Sequence, residues 1–499
     1  EVRLSLVGSE MCIRDSYYFP HHSGIMHASA QHKGQESALK VLLIDPKVDL
    51  PIDVRSSPSL GLAYLAAVSE QRGDEVRVLD MQVEDTLLRQ VVSEFPPDVV
   101  GITATTIQIE RAWLVARELG QMTEAPIVLG GSHPTVLAAE SVQMPGVDAV
   151  VRGEGEQTWV ELCERLENVG SLHGVAGVTY ERDGEIVHNP DRPMMENVDT
   201  LPFPAYHLFQ MERYSNLQPT LDDVKGPSYP ILSSRGCPYR CNYCAQILPR
   251  GWRARSPESV VSEWRWLVND LGAAELGVLD DSFNIDRQRV LDICDRLIAE
   301  GLNHVPWIMI NGIRANLVDE ELLLRMREAG CIRTAFGVES GNQRILDEVI
   351  HKQLTLDQVR AAFRAAKAVG METIGFFIIG LPGETEETME DTIRFACELD
   401  PVVANFSMAT PFPGTEMYEQ VKQVGRLLVH DWHEFAFFEN KAQFETDEMP
   451  AELVERKWRE AYRRFYLRPH RVARTVLRRR TWLELPRTVR MAWKTVVSS

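Results

Sequence analysis

From residue 39 onward the chain alternates between two hydrophobic rhythms. Short runs rich in Val, Ile and Leu are followed by stretches whose apolar residues recur at helical spacing. In the first part, residues 41–44, 75–79, 98–103, 126–129 and 149–151 read as strands, and 60–72 (closed by Gly73), 87–95, 109–119 and 159–166 as helices. This alternation predicts an α/β, doubly wound, Rossmann-like parallel sheet over 39–195. Ligands of such sheets bind beyond the carboxyl ends of the strands. Those ends carry Asp45-Pro46, Thr103 to Thr106, Gly130 to Thr135 and Gly153 to Glu156.

The rhythm resumes after a Pro- and Tyr-containing linker, 196–224. Strands are predicted at 231–234, 275–279, 305–310, 333–338, 373–379 and 402–409, with helices at 257–271, 287–299, 319–329, 355–369 and 385–398. Six β/α units over 225–425 predict a partial TIM-like barrel, with its site at the carboxyl ends of the strands. The polar residues there are Asp280 and Asp281, Asn311 and Arg314, Glu339 and Ser340, Gly380 to Glu384, and Thr410 to Thr415. Residues 426–499 form a third, helical and basic region. In it 451–466 places Trp458, Tyr462 and Phe465 on one side, and Pro469 interrupts.

Composition narrows the class. A chain of 499 residues exceeds one core, and 44% hydrophobic with 25% charged residues is ordinary for a globular protein. No apolar run is long enough to span a membrane. The net charge of −19 argues against nucleic-acid binding. It is uneven: residues 456–499 hold 14 Lys and Arg against Glu460 and Glu484, a local +12 that leaves −31 elsewhere. Two readings follow, a helical cap packed on acidic domains or a peripheral contact with the inner face of an anionic membrane. The eight cysteines form no secreted disulfide framework and fit a cytoplasmic protein. Residues 1–38 are set apart as a non-native or disordered leader. Their start, EVRLSLVGSEMCIRDS, has no periodic pattern and resembles translated sequencing-adapter sequence.

The candidate chemistry centres on Cys237, Cys241 and Cys244, spaced Cys-x3-Cys-x2-Cys directly after a strand. Three thiolates on one loop can hold three irons of a [4Fe–4S] cubane and leave the fourth iron open. A structural zinc site wants four protein ligands; no fourth Cys or His is near in sequence, although Cys331 could fold in. Cys294 and Cys397 read as packing residues. Cys331 reads as packing, or as a strand-edge thiol near the site.

Together these features resemble the radical S-adenosylmethionine (SAM) superfamily, in the branch with an N-terminal cobalamin-binding domain. The segments that carry the resemblance are Pro58-Ser59-Leu60-Gly61-Leu62, Gly130-Gly131-Ser132-His133-Pro134-Thr135, Arg152-Gly153-Glu154-Gly155-Glu156 and the cysteine motif. The resemblance implies that Tyr243, Asp281, Glu339, Ser340, Gly380 and Gly383 contact SAM. It implies that Pro58, Gly61, Thr105, Gly130, Gly131, Ser132, His133, Gly153, Glu154 and Gly155 contact cobalamin. The string Asp-x-His-x-x-Gly is absent, so the resemblance implies base-off cobalamin without a histidine ligand; His133 also reads as a loop-shaping histidine before proline. The implied activity is reductive cleavage of SAM to a 5′-deoxyadenosyl radical, for methyl transfer to an unactivated carbon. The alternatives are a radical cyclase, oxidase or rearrangement enzyme on a tetrapyrrole or isoprenoid lipid, and a non-catalytic metal- or cofactor-binding sensor. The implied partners are a small-molecule or lipid substrate and an electron donor such as flavodoxin or ferredoxin.

Overall fold

The computed structural model describes residues 38–477, except 49–56, 169, 215–216, 218–223, 246 and 437–440. The leader, and the tail from 478 onward, lie outside the described residues.

Five strands of the first unit are parallel: β1 (Lys40–Asp45), β2 (Glu75–Asp80), β3 (Val99–Thr103), β4 (Ile127–Gly130) and β5 (Ala149–Val151). Successive residues of β1 enter opposite cores. Val41 and Leu43 pack with α1 (Leu60–Arg72), whereas Leu42 and Ile44 pack into a second core on the other face. That double burial is why β1 reads as a continuous apolar run. The remaining helices are α2 (Leu88–Glu94), α3 (Ile109–Leu119), α4 (Ser132–Val136), α5 (Ala138–Val142) and α6 (Gly155–Asn168).

The sheet is not wholly parallel, which corrects the expectation. It continues through an antiparallel hairpin, β6 (Val178–Arg182) and β7 (Glu185–His188), in the order β2-β1-β3-β4-β5-β6-β7. Asp183 and Gly184 turn the hairpin with φ of 54° and 81°. Asp-Gly is the dipeptide that such a turn favours.

The second unit is a six-stranded parallel sheet in the order β8-β11-β12-β13-β14-β15. Its first strand differs from expectation: β8 is Ser228–Ile231, three residues earlier than 231–234. Pro230 masked it in the sequence, because proline cannot donate to a ladder; it is tolerated here because β8 is an edge strand. The chain leaves the sheet at Ile231. Two short antiparallel strands, β9 (Ser234–Arg235) and β10 (Arg253–Ala254), then pinch the intervening residues into a closed loop that holds the three cysteines. The sheet continues with β11 (Glu275–Val278), β12 (Trp307–Met309), β13 (Cys331–Glu339), β14 (Glu372–Ile379) and β15 (Val403–Met408).

The crossover helices are α7 (Pro257–Asn269), α8 (Arg287–Ala299), α9 (Glu320–Glu328), α10 (Leu356–Ala368) and α11 (Glu386–Leu399). Each is capped by the side chain before it, namely Ser256, Asp286, Asp319, Thr355 and Thr385. Such caps contribute about 1 kcal/mol each and fix where the strand-end loops stop. Cys331 opens β13, at the strand end opposite the site, and is fully buried. It is therefore a packing thiol, and the strand-edge reading is withdrawn.

The C-terminal region begins with α12 (Glu416–Val424) and a small antiparallel pair, β16 (Gly425–Leu427) and β17 (Phe444–Thr446). Next, α13 (Ala451–Tyr466) lies against β15 and α11, followed by α14 (Pro469–Leu477). The Trp458 indole donates to the Phe406 carbonyl at 2.7 Å, and Phe465 is fully buried. Lys457 and Arg464 pair with Glu390, and Arg471 with Asp400. Residues 456–471 thus cap the barrel, using their positive charge on its acidic helices. Among the described residues no helix is long and apolar enough to cross a membrane.

Trp458→Ala should lower the barrel's stability by about 3–5 kcal/mol, and Trp458→Phe by less. The check is the unfolding midpoint of the full chain; an unchanged midpoint for the alanine variant would contradict the cap assignment.

Candidate functional site

The carboxyl ends of the two sheets face each other across a cavity of about 310 Å3. The first unit supplies Gly61, Gly130, Gly131, Gly153 and Gly155 to its wall; the barrel supplies Gly236, Ile247, Leu248 and Asp281. Ile102, Val128, Leu129, Val151 and Trp159 also line it and make part of its wall apolar. Three of these glycines form an open cradle that side chains would fill, whereas Gly131 (φ 103°) is required by packing, since a Cβ there would stand 2.6 Å from the Ala104 carbonyl. A Cβ on Gly61 would meet no atom within 4 Å, one on Gly130 only the Val151 carbonyl at 4.0 Å, and one on Gly153 only Leu248 at 3.8 Å. Open space above backbone suits a broad planar ligand.

Buried charge holds the two units together. Arg235 donates to Glu154 at 3.1 Å and to Glu156 at 2.6 Å; Arg253 donates twice to Glu154, at 2.8 Å each. The Met195 amide also donates to Glu154, at 3.0 Å. Burial raises the Glu154 carboxyl, but Arg253, the Met195 amide and Arg235 together outweigh it and hold the carboxyl below its ordinary range. Glu154 lines the cavity, yet its oxygens are committed to this clamp.

On the barrel side, Asp280 and Asp281 divide their work. Asp280 is fully buried and accepts from the Ser233 amide and hydroxyl at 2.6 Å each, and from the Ser234 hydroxyl. It shapes the entry to the cysteine loop. Asp281 lines the cavity and accepts the Gly236 N–H; burial pushes its carboxyl up, partly offset by that bond. Gly236 has φ 82°, and a Cβ there would stand 2.5 Å from the Gly251 carbonyl. Only glycine lets β9 turn into the loop beside β10.

The loop is tied down from outside. The Asn242 amide and side chain donate to Ile350 and Val349 carbonyls at 3.3 and 2.7 Å, and its carbonyl accepts from Met417 at 3.1 Å. Arg314 lies over the Tyr239 ring at 3.4 Å and donates to the Lys352 and Gln353 carbonyls. Its guanidinium thus bonds carbonyls rather than making the ordinary ion pair considered from the sequence. Desolvation, then Cys241 and Cys237, push the Cys244 thiol up to about 11. A bound iron assembly would compensate the thiolate charge that this environment disfavours. Among the described residues no three His, Cys, Asp or Glu converge on one point, which a mononuclear zinc site requires. A cubane instead takes each thiolate on a different iron, and this donor set fits it.

Across the loop, Glu339 ends β13 with φ 65°. Lys352, which sequence reasoning missed, pairs with Glu339 at 2.7 Å and donates to the Tyr243 hydroxyl at 3.1 Å. Ser340 is buried beside Thr392 at 3.2 Å, a bond that anchors the turn. Gly380 and Gly383 occupy a turn with φ of 86° and 90°. The buried Glu384 holds that turn by accepting from the Gly380 and Leu381 amides at 2.8 and 2.9 Å. Burial, partly offset by those bonds, pushes the Glu384 carboxyl up to about 7.

Four residues expected against the corrinoid do not line the cavity. Pro58 is buried ahead of α1, Thr105 caps the turn at Gln108, and Ser132 begins α4. His133 is 1% exposed, with its ring 4.9 Å from that of Trp432 and its Nδ1 3.4 Å from Thr106 Oγ1. Trp432 donates to Glu110 and Glu140 at 2.7 and 2.8 Å, so this histidine packs beneath a strap from the C-terminal region. It is shaped by packing, as its place before proline suggested. Arg235, Arg253 and Trp432 were also missed. Arg235 and Arg253 complement the Gly-Glu-Gly-Glu run, the one sequence signal that could have found them.

Family models match both units: the B12 binding domain over residues 55–163 and the radical SAM superfamily over 231–396. An uncharacterized methyltransferase, PH0819, of Pyrococcus horikoshii is 37% identical over 443 residues, covering 86% of this chain and 93% of the relative. The anaerobic magnesium-protoporphyrin IX monomethyl ester cyclase of Rubrivivax gelatinosus is 31% identical over 424 residues, covering 82% of this chain and 74% of that protein. In structure, the radical SAM methyltransferase TsrM of Kitasatospora setae, solved with cobalamin and a [4Fe–4S] cluster, superposes with a TM-score of 0.66 at 22% identity, covering 78% of each chain. The chain belongs to the radical SAM superfamily, in the branch with an N-terminal B12-binding domain, and it is a radical SAM enzyme.

Two predictions follow from the packing. Glu154→Gln should loosen the docking of the two units, seen as faster hydrogen exchange along β9 and β10; unchanged protection would remove the clamp's role. Burial holds the His133 ring neutral down to about 4, against 6.5 for an ordinary histidine. The unfolded chain therefore binds the extra proton, and stability should fall as pH drops from about 6.5 towards 4, by on the order of 2–3 kcal/mol. His133→Asn should flatten that slope in urea titrations; an unaltered slope would place the effect elsewhere.

Proposed function

We propose that this enzyme is a cobalamin-dependent radical SAM methyltransferase acting on an unactivated carbon of a small molecule. The observation that carries the reading is the single cavity: its glycine cradle belongs to the B12-binding unit, and its opposite wall runs through Gly236 and Asp281 into the cysteine loop. Cys237, Cys241 and Cys244 would hold the [4Fe–4S] cluster. Tyr243, Asp281, Glu339, Ser340, Gly380 and Gly383 would bind SAM, and Gly61, Gly130, Gly131, Gly153 and Gly155 would accept cobalamin. When bound, these groups supply a 5′-deoxyadenosyl radical and a transferable methyl group.

The chain's own residues position and enclose. Asp281 would face the polar end of SAM, with its carboxylate oriented by the Gly236 amide. The apolar residues Ile102, Val128, Leu129, Val151 and Trp159 would pack against apolar parts of the corrinoid. Among the described residues lining the cavity there is no histidine, cysteine or methionine. Leu232, Ile247 and Leu248 would exclude water between the two cofactors. The reductant would be a flavodoxin or ferredoxin. Arg456, Lys457, Arg464, Arg468 and Arg471 pair with Glu386, Glu390 and Asp400, so contact with a lipid surface would draw on the other basic residues of the tail.

The cyclase relative favours one other reading, a radical cyclase on a tetrapyrrole. S-adenosylhomocysteine formed by the anaerobically reconstituted full chain separates the two; its absence beside a ring-closed product would replace methyl transfer by cyclisation. Cys241→Ala should abolish SAM cleavage and leave cobalamin bound. Gly61→Leu should prevent cobalamin binding and leave the cluster loaded. Cleavage at the wild-type rate in the first variant, or a retained base-off spectrum in the second, would refute the corresponding site.

A further inference from the structure

Lys352 is reached by an unusual stretch of backbone. A π-helical turn, Ile345–Val349, precedes it. π-turns are rare and concentrate at functional sites. Its neighbours His351 and Gln353 both take left-handed φ of 53°, and its pairing partner Glu339 takes 65°. These are three of the five non-glycine residues with positive φ among the described residues. Such conformations are unfavourable for residues with a Cβ and persist only where the surroundings enforce them. Here the Lys352 amide donates to the Leu346 carbonyl at 2.8 Å, and its carbonyl accepts from Arg314 at 2.7 Å. The same Arg314 stacks on Tyr239 of the cysteine loop.

The strain delivers one ammonium group. Its side chain is 11% exposed, and Nζ reaches Glu339 Oε1 at 2.7 Å and the Tyr243 hydroxyl at 3.1 Å. Gly337 leaves the space for it: a Cβ there would stand 2.5 Å from Glu339 Oε1 and 2.9 Å from Lys352 Nζ.

We propose that Lys352 is a positioning residue for S-adenosylmethionine. It pins one oxygen of Glu339 together with the Tyr243 hydroxyl, and so sets where the other Glu339 oxygen meets the cofactor's hydroxyl or ammonium groups. The inference rests on the reading of Glu339 as a SAM contact. A carboxylate anchored through one oxygen enters binding already oriented, so less ordering is left for the cofactor to impose.

The test is a titration of SAM into the reduced, anaerobically reconstituted full chain, followed by the electron paramagnetic resonance signal of the cluster, with 5′-deoxyadenosine formation measured in parallel. Lys352→Met should keep iron and sulfide, melt at a lower temperature because Glu339 is left unpaired, and bind SAM roughly ten- to hundred-fold more weakly, the worth of one charge-assisted hydrogen bond. At saturating SAM its turnover should match the wild type, so the loss sits in KM. Gly337→Ala, which crowds the pair without removing a charge, should weaken SAM in the same sense. Wild-type SAM affinity in Lys352→Met overturns the proposal, as does loss of cluster iron, which would make the lysine structural. Glu339→Gln separates the two layers. If it binds SAM normally, the Glu339 assignment falls and this proposal with it; if it is weakened while Lys352→Met is not, only the role of Lys352 falls.

Discussion

Buried charge between the units is the constraint on which the rest of the structure depends. Glu154 and Glu156 leave the first sheet beyond β5; Arg235 and Arg253 leave the second through β9 and β10. None of the four side chains is more than 14% exposed. Such groups are costly to desolvate and tolerable only when every one is paired, so removing one partner typically costs about 3–5 kcal/mol. The units therefore dock in one register or pay heavily. That register places the glycine cradle opposite the cysteine loop. Arg235 directly precedes Gly236 and Cys237, so one residue both docks the units and starts the loop.

Most of the architecture was legible because it depends on periodicity. Buried parallel strands are apolar on both faces, their helices carry one apolar stripe, and caps such as Asp319 and Thr385 mark where each helix begins. What periodicity could not see lay where another rule took over. The β6–β7 hairpin was announced only by Asp183-Gly184. Pro230 hid β8, because its exclusion from ladders lapses at a sheet edge. The cysteine motif carries its own chemistry and stood out at once. The contacts that orient it did not, since Asn242 reaches Val349 across 107 residues and Lys352 reaches Tyr243 across 109. A lysine in His-Lys-Gln has no local signature; only the fold brings it to Glu339.

The cradle also shows what a resemblance transfers and what it does not. Gly61, Gly130, Gly131, Gly153 and Gly155 reach the cavity because each sits at a carboxyl end of the sheet or at the start of a helix there. Pro58, Thr105, Ser132 and His133 share those segments and serve to fold them. Within one motif, Gly130 leaves open space over the backbone, whereas Gly131 and the polar neighbours hold the turn. His133 is the clearest case, since its ring is enclosed by Trp113 and Trp432.

The same logic bears on how one scaffold can serve both methyl transfer and ring closure, the activities named for two relatives of comparable coverage. In the proposed reading, radical generation would draw on the cysteine loop, Asp281 and the turns around Glu339 and Gly380, which hydrogen bonds within the barrel hold in place. What happens next depends on what lies between that edge and the cradle. There the wall is Leu232, Ile247 and Leu248, apolar side chains that impose shape without committing to one polar pattern. Divergence in substrate can then proceed at the cavity wall while the clamp and the cysteine loop stay intact. The clamp residues Glu154, Glu156 and Arg235 line the same cavity, but their charges are committed to one another, so the apolar side chains are the part of the wall left to vary.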